Sequence, residues 1–225
     1  MRTLSTLILA ALVASPAFAG KTREDKVLRE AAQVLTRSAN APDKGIPRDL
    51  LEKAECIGVF PGVAKGAFIV GGEYGRGVFT CRKENGKMGA PAFFTIGGPS
   101  VGWQFGGKET DLVLLIMNEE GVKHLLKDKF ALGGEAAAVA GPVGRTAEAA
   151  TDLQLRAQIL SWSRSRGLFL GASLEGTVVS PNKKAIEAFY GEPHTAREIL
   201  VEQEVGVPRA ARVFVNTATE YGRRS

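Results

Sequence analysis

The sequence predicts an α+β fold in which helices flank a curved, glycine-rich antiparallel sheet or partial barrel. Two observations carry this reading. The apolar period is helical from Lys21 to Asn40, strand-like through most of residues 56–179, and helical again to the end, an order that favours α+β over an alternating α/β chain. In addition, 14 of the 27 glycines lie between Gly58 and Gly107, so the sheet must bend, bulge or admit close approach.

The first 19 residues read as an export signal. Arg2 supplies a positive start, Leu4 to Val13 an apolar run, and Ala17-Phe18-Ala19 a small-x-small cleavage pattern that makes Gly20 the expected mature N-terminus. The run is too short to span a bilayer, and no cysteine follows the cleavage site to carry a lipid. The expected product is periplasmic or secreted. Residues 20–225 are long enough for one domain with a substantial core, and no linker or repeat divides them. Arg2 is the only charged group in residues 1–19, so its loss takes the net charge from +5 to +4. That mild, mixed balance suits anionic surfaces and makes no case for nucleic acid.

Lys21 to Asn40 sets Val27, Leu28, Ala31, Val34 and Leu35 on one helical face. The other face carries Lys21, Arg23, Lys26, Arg29 and Arg37 beside Glu24, Asp25 and Glu30. Such a helix either lies in a lipid interface or docks on the core; the mixed charge and the lack of aromatics favour docking. After a turn at residues 40–45, Pro47 starts a short helix to Ala54. Short strands follow at Cys56–Phe60, Ala67–Gly71 and Gly77–Arg82, and Asn85-Gly86 signals a type I′ hairpin turn. Pro91 to Met117 reads as two more strands. The first alternates around Val101, Trp103 and Phe105; the second, from Leu112, is apolar on both parities and so buried on both faces; Gly106-Gly107-Lys108 joins them tightly. Asn118 caps a helix bearing Val122, Leu125 and Leu126. Leu153 to Ile159 alternates, and the apolar parity then shifts to Leu160 and Trp162, as at a bulge. Strand residues run on from Leu168 to Val179. Ser180-Pro181 then opens a helix through Tyr190, Thr195 to Glu198 form a capping box, and Pro208 begins a last amphipathic helix that Gly222 ends.

Most chemical motifs fail on context. Cys56 and Cys81 are either a cross-strand disulfide in an oxidising compartment or two small buried apolar residues. With only His124 and His194 beside them, no metal-ligand spacing exists and no cofactor is expected. Gly98-Pro99-Ser100-Val101-Gly102 has the letters of a hydrolase elbow, but a strand follows where a helix is required; Ser100 with Asp111 and His194 stays a minor alternative. Gly102 to Lys108 resembles a phosphate loop in letters alone, because Glu109 stands where Ser or Thr must hold magnesium. Glu109, Asp111, Glu135 and Glu175 lie near glycines with no spacing that fixes a pair.

The basic residues at glycine-rich turns are more informative. Lys65 lies in Pro-Gly-Val-Ala-Lys-Gly, Arg76 in Gly-Arg-Gly, Lys108 in Gly-Gly-Lys and Arg145 in Gly-Pro-Val-Gly-Arg, while Arg164 and Arg166 precede Gly167. Taken singly, each reads as a solvated turn charge. Gathered at one end of the sheet, they would set donors around exposed backbone amides, a geometry for phosphate or lipid headgroups.

A wider pattern runs through these turns. Ile46-Pro47 with Leu50-Leu51, Gly71-Gly72 with Gly75-x-Gly77-Val78, Ala90-Pro91-x-Phe93, Gly102-x-Gln104-x-Gly106 with Thr110-Asp111, Leu132-Gly133-Gly134, Gly141-Pro142-x-Gly144-Arg145, and Ser163-x-Ser165-x-Gly167-Leu168-Phe169-x-Gly171 with Ser173-Leu174-Glu175-Gly176 occur in order. Together they resemble the SYLF-domain family from about Lys21 to Tyr190, here as an exported member of bacterial type. The resemblance implies a non-enzymatic lipid-binding domain over residues 20–225, with a C-terminal helical extension from about residue 191. Eukaryotic members bind phosphoinositides, some through an N-terminal amphipathic helix and basic patches, and fungal relatives bind and bundle actin. Carried over, this makes Lys65, Arg76, Lys108, Arg145, Arg164 and Arg166 candidate contacts for anionic phospholipid, and Lys21, Arg23, Lys26 and Arg29 candidates on the helix. The Src-homology-3 module of some eukaryotic members is absent from this sequence. An envelope or host-directed protein-interaction module is the alternative, with actin within reach only of a chain released into a host.

Overall fold

The computed structural model describes residues 16–41, 45–66, 72–99, 109–142, 157–165, 168–171, 174 and 176–223. Helices α1 (Pro16–Ala39) and α2 (Arg48–Lys53) precede strands β1 (Cys56–Gly66), β2 (Gly72–Cys81), β3 (Ala92–Pro99) and β4 (Glu109–Ile116). After α3 (Glu119–Leu125) come β5 (Phe130–Ala131), β6 (Ala138–Ala140), β7 (Ile159–Ser165), β8 (Leu168–Gly171) and β9 (Val178–Pro181). The chain closes with α4 (Lys183–Tyr190), α5 (Ala196–Leu200), a 3-10 turn at Arg209–Ala211 and α6 (Arg212–Tyr221).

The described strands form one sheet in the order β5-β9-β3-β2-β1-β4-β7-β6, with β8 on the distal half of β7. It curls into a half-barrel, in agreement with the α+β expectation. Every pair is antiparallel except β6 with β7, which run parallel. Phe60, Phe79 and Phe94 meet edge to face on one side of the sheet, with centroids 5.7 and 4.9 Å apart; each such contact adds about 0.5–1.5 kcal/mol beyond area burial. Gly77 makes room for this stack, since a Cβ there would collide with the Phe60 ring and the Val59 carbonyl.

Helix α1 lies on the opposite face. Leu28, Ala31, Val34 and Leu35 are buried at its contact with the sheet and with α6, and Asn40 donates to the Tyr221 hydroxyl at 2.7 Å. Its apolar stripe is therefore occupied by the core, which is the docked arrangement. Phe189 of α4 closes the same side against Phe93, with centroids 5.0 Å apart. Cys56 and Cys81 stand opposite each other on β1 and β2, and their sulfurs are bonded.

Asn118 accepts from the Gly121 N–H, and Thr195 and Glu198 make both bonds of the capping box. Residues Leu112–Ile116 are buried throughout, as their apolar run requires. Strand β1 continues past Phe60 to Gly66 through an irregularity in its register, because Gly62 adopts φ +58 and absorbs an extra residue. The expected strands at Ala67–Gly71 and around Val101, and the Gly106–Lys108 connection, fall outside the described residues, as does the alternating stretch up to Arg156. Strands β3 and β4 are not neighbours; β2 and β1 lie between them, a matter of long-range pairing that local pattern does not encode. The Asn85-Gly86 turn is not type I′: Asn85 keeps negative φ, Gly86 alone is positive at +78, and its N–H donates to the Lys83 carbonyl. Ser180 and Pro181 end β9 instead of opening a helix, and Asn182 is the cap, accepting from the Ala185 N–H.

Candidate functional site

Register fixes the site. Val78, Val59, Val113 and Trp162 form a row across β2, β1, β4 and β7. Two residues further along β2, β4 and β7, on the same face, stand Arg76, Asp111 and Arg164. The direction is toward one end of the sheet, where β1 and β7 finish and β2 and β4 begin, and where β3 finishes beside Gly72. The connections β1–β2, β3–β4 and β7–β8 thus all depart from this single end. Three of the basic residues read as turn residues are nevertheless strand residues: Lys65 lies in β1, Arg76 in β2 and Arg164 in β7, because each of these strands runs through its glycines.

Asp111 is the centre of the described part. Its Oδ1 accepts the Gly62 N–H at 3.1 Å, at the point where β1 bends. Its Oδ2 lies 3.7 Å from Arg164 Nη1 and 3.9 Å from Arg37 Nη2, which α1 brings from above. The carboxylate therefore holds two guanidinium groups near one another. A cavity of about 320 Å³ opens beside it, bounded by Lys26, Arg37, Gly62, Glu109 and Asp111. Lys26 is already 3.7 Å from Glu30, and Glu109 and Asp111 outnumber Arg37, so the described lining carries one net negative charge. A surplus of cations there depends on residues at the strand ends.

The candidates distribute as follows. Lys65 is on β1, opposite Glu73, with its side chain outside the description. Lys108, Arg145 and Arg166 lie outside the described residues, and Lys21 is described only as backbone in α1. Arg23, Lys26 and Arg29 are exposed on α1. Arg76 is half-buried, and its Nε donates to the Tyr74 hydroxyl at 3.3 Å. It also faces Glu24, a residue only 4% exposed whose Oε2 has no hydrogen-bond partner among the described residues. Burial raises the Glu24 carboxyl above its ordinary value, against the opposing pull of its own backbone N–H, Arg76 and Arg23. Arg37 and Gly62 are site residues that the turn argument missed. Pro61-Gly62 inside an apolar strand was the available signal for the second.

Ser100 also lies outside the described residues, and its expected partners do not meet: Asp111 is held by arginines, while His194 stands between Glu192 and Glu198. Among the described residues, no helix is long and apolar enough to cross a membrane.

Comparison with known proteins agrees with the motif pattern. Residues 97–221 match the family described as "Ysc84: Las17-binding protein actin regulator", a stretch that runs through α6. The chain is 34% identical over 176 residues to SH3 domain-containing YSC84-like protein 1 of Homo sapiens, covering 78% of this chain and 51% of that protein. It is 34% identical over 161 residues to LAS seventeen-binding protein 3 of Saccharomyces cerevisiae (strain ATCC 204508 / S288c), covering 70% and 35%. Against the Xenopus laevis YSC84-like protein 1 it is 31% identical over 188 residues, 83% and 55%. The chain thus spans about a third to a half of the relatives it matches. On this match and on its ordered glycine motifs, the chain belongs to the Ysc84 family, the SYLF-domain family.

Proposed function

We propose that the chain is an exported, non-enzymatic lipid-binding protein that recognises anionic headgroups at the glycine-rich end of its sheet. The observation that carries this is the convergence of three glycine-containing connections on the end where Arg76, Arg164 and Arg37 already stand. Lys65 is one residue from the end of β1, and Lys108 and Arg166 belong to connections leaving that end. Tyr74 and Leu170, each 53% exposed, add apolar contact on β2 and β8.

Export is supported by the three-part N-terminal pattern and by the bonded Cys56–Cys81 pair, which suits an oxidising compartment. Cleavage after Ala19 removes Pro16 to Ala19 from α1 and leaves the docked stretch from Leu28 onward intact. The mature chain then acts in the periplasm or outside the cell.

Co-sedimentation of the chain from Gly20 onward with neutral and anionic vesicles across a salt series tests the reading. Binding to anionic vesicles that fades with salt is expected, because headgroup contacts are screened. Salt-insensitive binding to neutral vesicles would remove the electrostatic recognition. A second reading, a protein-interaction module, is favoured by the family description, which names Las17 binding and actin regulation. Capture of a defined partner by a chain that ignores both kinds of vesicle would select it.

A further inference from the structure

The other end of β2 carries a second basic surface. Where β2 ends, Arg82 bridges to Met88, and α6 lies beside this hairpin. A groove of about 580 Å³ opens there. Its floor is apolar, made of Met88, 2% exposed, and Val215, 5% exposed, with Val207 half-buried beside them. Its rim carries Arg48, Lys87, Arg212 and Arg223 against a single acid, Glu220. Arg48 pairs with Glu52 at 3.4 Å. Lys87, Arg212 and Arg223 are exposed and have no ion-pair partner among the described residues.

The groove is built, not incidental. The Met88 N–H donates to Thr219 Oγ1 at 3.1 Å, tying the hairpin to α6. Arg82 Nη1 donates both to the Gly86 carbonyl at 3.1 Å and to the Gly222 carbonyl at 2.6 Å, which holds the turn bearing Lys87 against the helix end bearing Arg223. The backbones bearing three cations without an ion-pair partner among the described residues are thereby held beside an apolar strip. That combination suits an anionic headgroup presented at a bilayer surface, with phosphate on the rim and glycerol carbons on the floor.

We infer that this groove docks a second anionic bilayer, so that one chain joins two membrane surfaces. The ten residues of β2, at about 3.3 Å each, separate it from the glycine-rich end by roughly 30 Å. The inference rests on the lipid-binding reading of that other end. With β2 standing along the bilayer normal its two ends meet different surfaces and bivalent binding appears as bridging, whereas with β2 lying flat both ends would meet one bilayer and no clustering would follow.

The test uses the mature chain with vesicles of equal parts phosphatidylcholine and phosphatidylglycerol, reading co-sedimentation and turbidity together. The expected result is binding with vesicle clustering that reverses in salt. Lys87→Ala with Arg212→Ala keeps co-sedimentation and loses the turbidity rise, while a charge-matched control, Lys129→Ala with Lys184→Ala, clusters like the parent. Parent protein that binds without clustering, or a groove variant that clusters as well as the control, overturns the inference. A separate arm titrates monomeric dihexanoyl phosphatidylglycerol and follows the Met88 methyl resonance. If vesicles are not bound at all, the lipid-binding reading of the glycine-rich end fails; a silent Met88 methyl then overturns the groove as well, and a shift that Arg212→Ala abolishes upholds its anionic-headgroup site.

Discussion

Asp111 and Arg164 face each other across the β4–β7 ladder, yet their charged atoms stop 3.7 Å apart. A charge-assisted hydrogen bond closes to about 2.7–2.9 Å. At 3.7 Å from Arg164 and 3.9 Å from Arg37, Asp111 offsets the charge of both arginines more than it fixes their geometry. Replacing Asp111 with Asn keeps an acceptor for the Gly62 N–H while removing the charge that offsets both arginines. Affinity for anionic vesicles should rise a few-fold, about 0.5–1 kcal/mol, and Arg164→Gln should lower it. Vesicle titrations at low salt decide; an Asn variant that binds more weakly would show that Asp111 organises the arginines instead of masking them.

Arg82 predicts a stability effect. Its guanidinium donates to the carbonyls of Leu51, Glu52, Ala54, Gly86 and Gly222, joining the end of α2, the hairpin and the end of α6. Lysine retains the charge but lacks the planar fork that serves several carbonyls at once. Arg82→Lys should therefore still cost roughly 2–3 kcal/mol, since partly buried acceptors lose their donors. Chemical denaturation should show a lower midpoint with an unchanged slope. Wild-type stability in this variant would mean that other contacts hold the three segments.

The Cys56–Cys81 bond closes a loop spanning 25 positions. Constraint of the unfolded chain by a loop of that size is worth about 3 kcal/mol. Cys56→Ala with Cys81→Ala should lose that much, and reductant should lower the parent to the same level. Equal melting of oxidised and reduced parent protein would contradict this.

These effects differ in how far the sequence reveals them. Helix faces and caps are local, so the α1 stripe, Asn118 and the Thr195–Glu198 box are legible from spacing alone. The burial of β4 follows from its unbroken apolar run. Strand order is not local: nothing within Pro91 to Met117 reveals that β2 and β1 separate β3 from β4. The candidate site suffers most, because Arg37, Gly62, Asp111 and Arg164 come from four elements and meet only once the sheet has its register and α1 lies across it. Glycine-flanked basic residues can be picked out by inspection, but which of them share an end of the sheet, and that Asp111 stands between Arg37 and Arg164, follows only from the strand register.

Glu24 gives a pH dependence. Its carboxyl is buried beside Arg76 with Oε2 unpartnered among the described residues, and burial is the largest influence on it, outweighing the pull of its backbone N–H, Arg76 and Arg23; neighbouring Asp25 adds to the rise. The native carboxyl thus holds its proton more tightly than the unfolded one, whose ordinary value is 4.5. Over the interval between those values the native state binds more protons, so this residue's contribution to stability falls as pH rises from 4.5 through the raised native value, then levels off. Glu24→Gln removes the ionisation and keeps the shape. The variant should match the parent near pH 4 and exceed it at pH 7 by about 1 kcal/mol, the scale of leaving a buried polar group unpaired. Denaturation midpoints of the two chains across this range provide the check, with the difference between them cancelling the titration of every other acid. Parallel curves would mean that Arg76 compensates the buried charge fully, and α1 would then dock with the same strength at either pH.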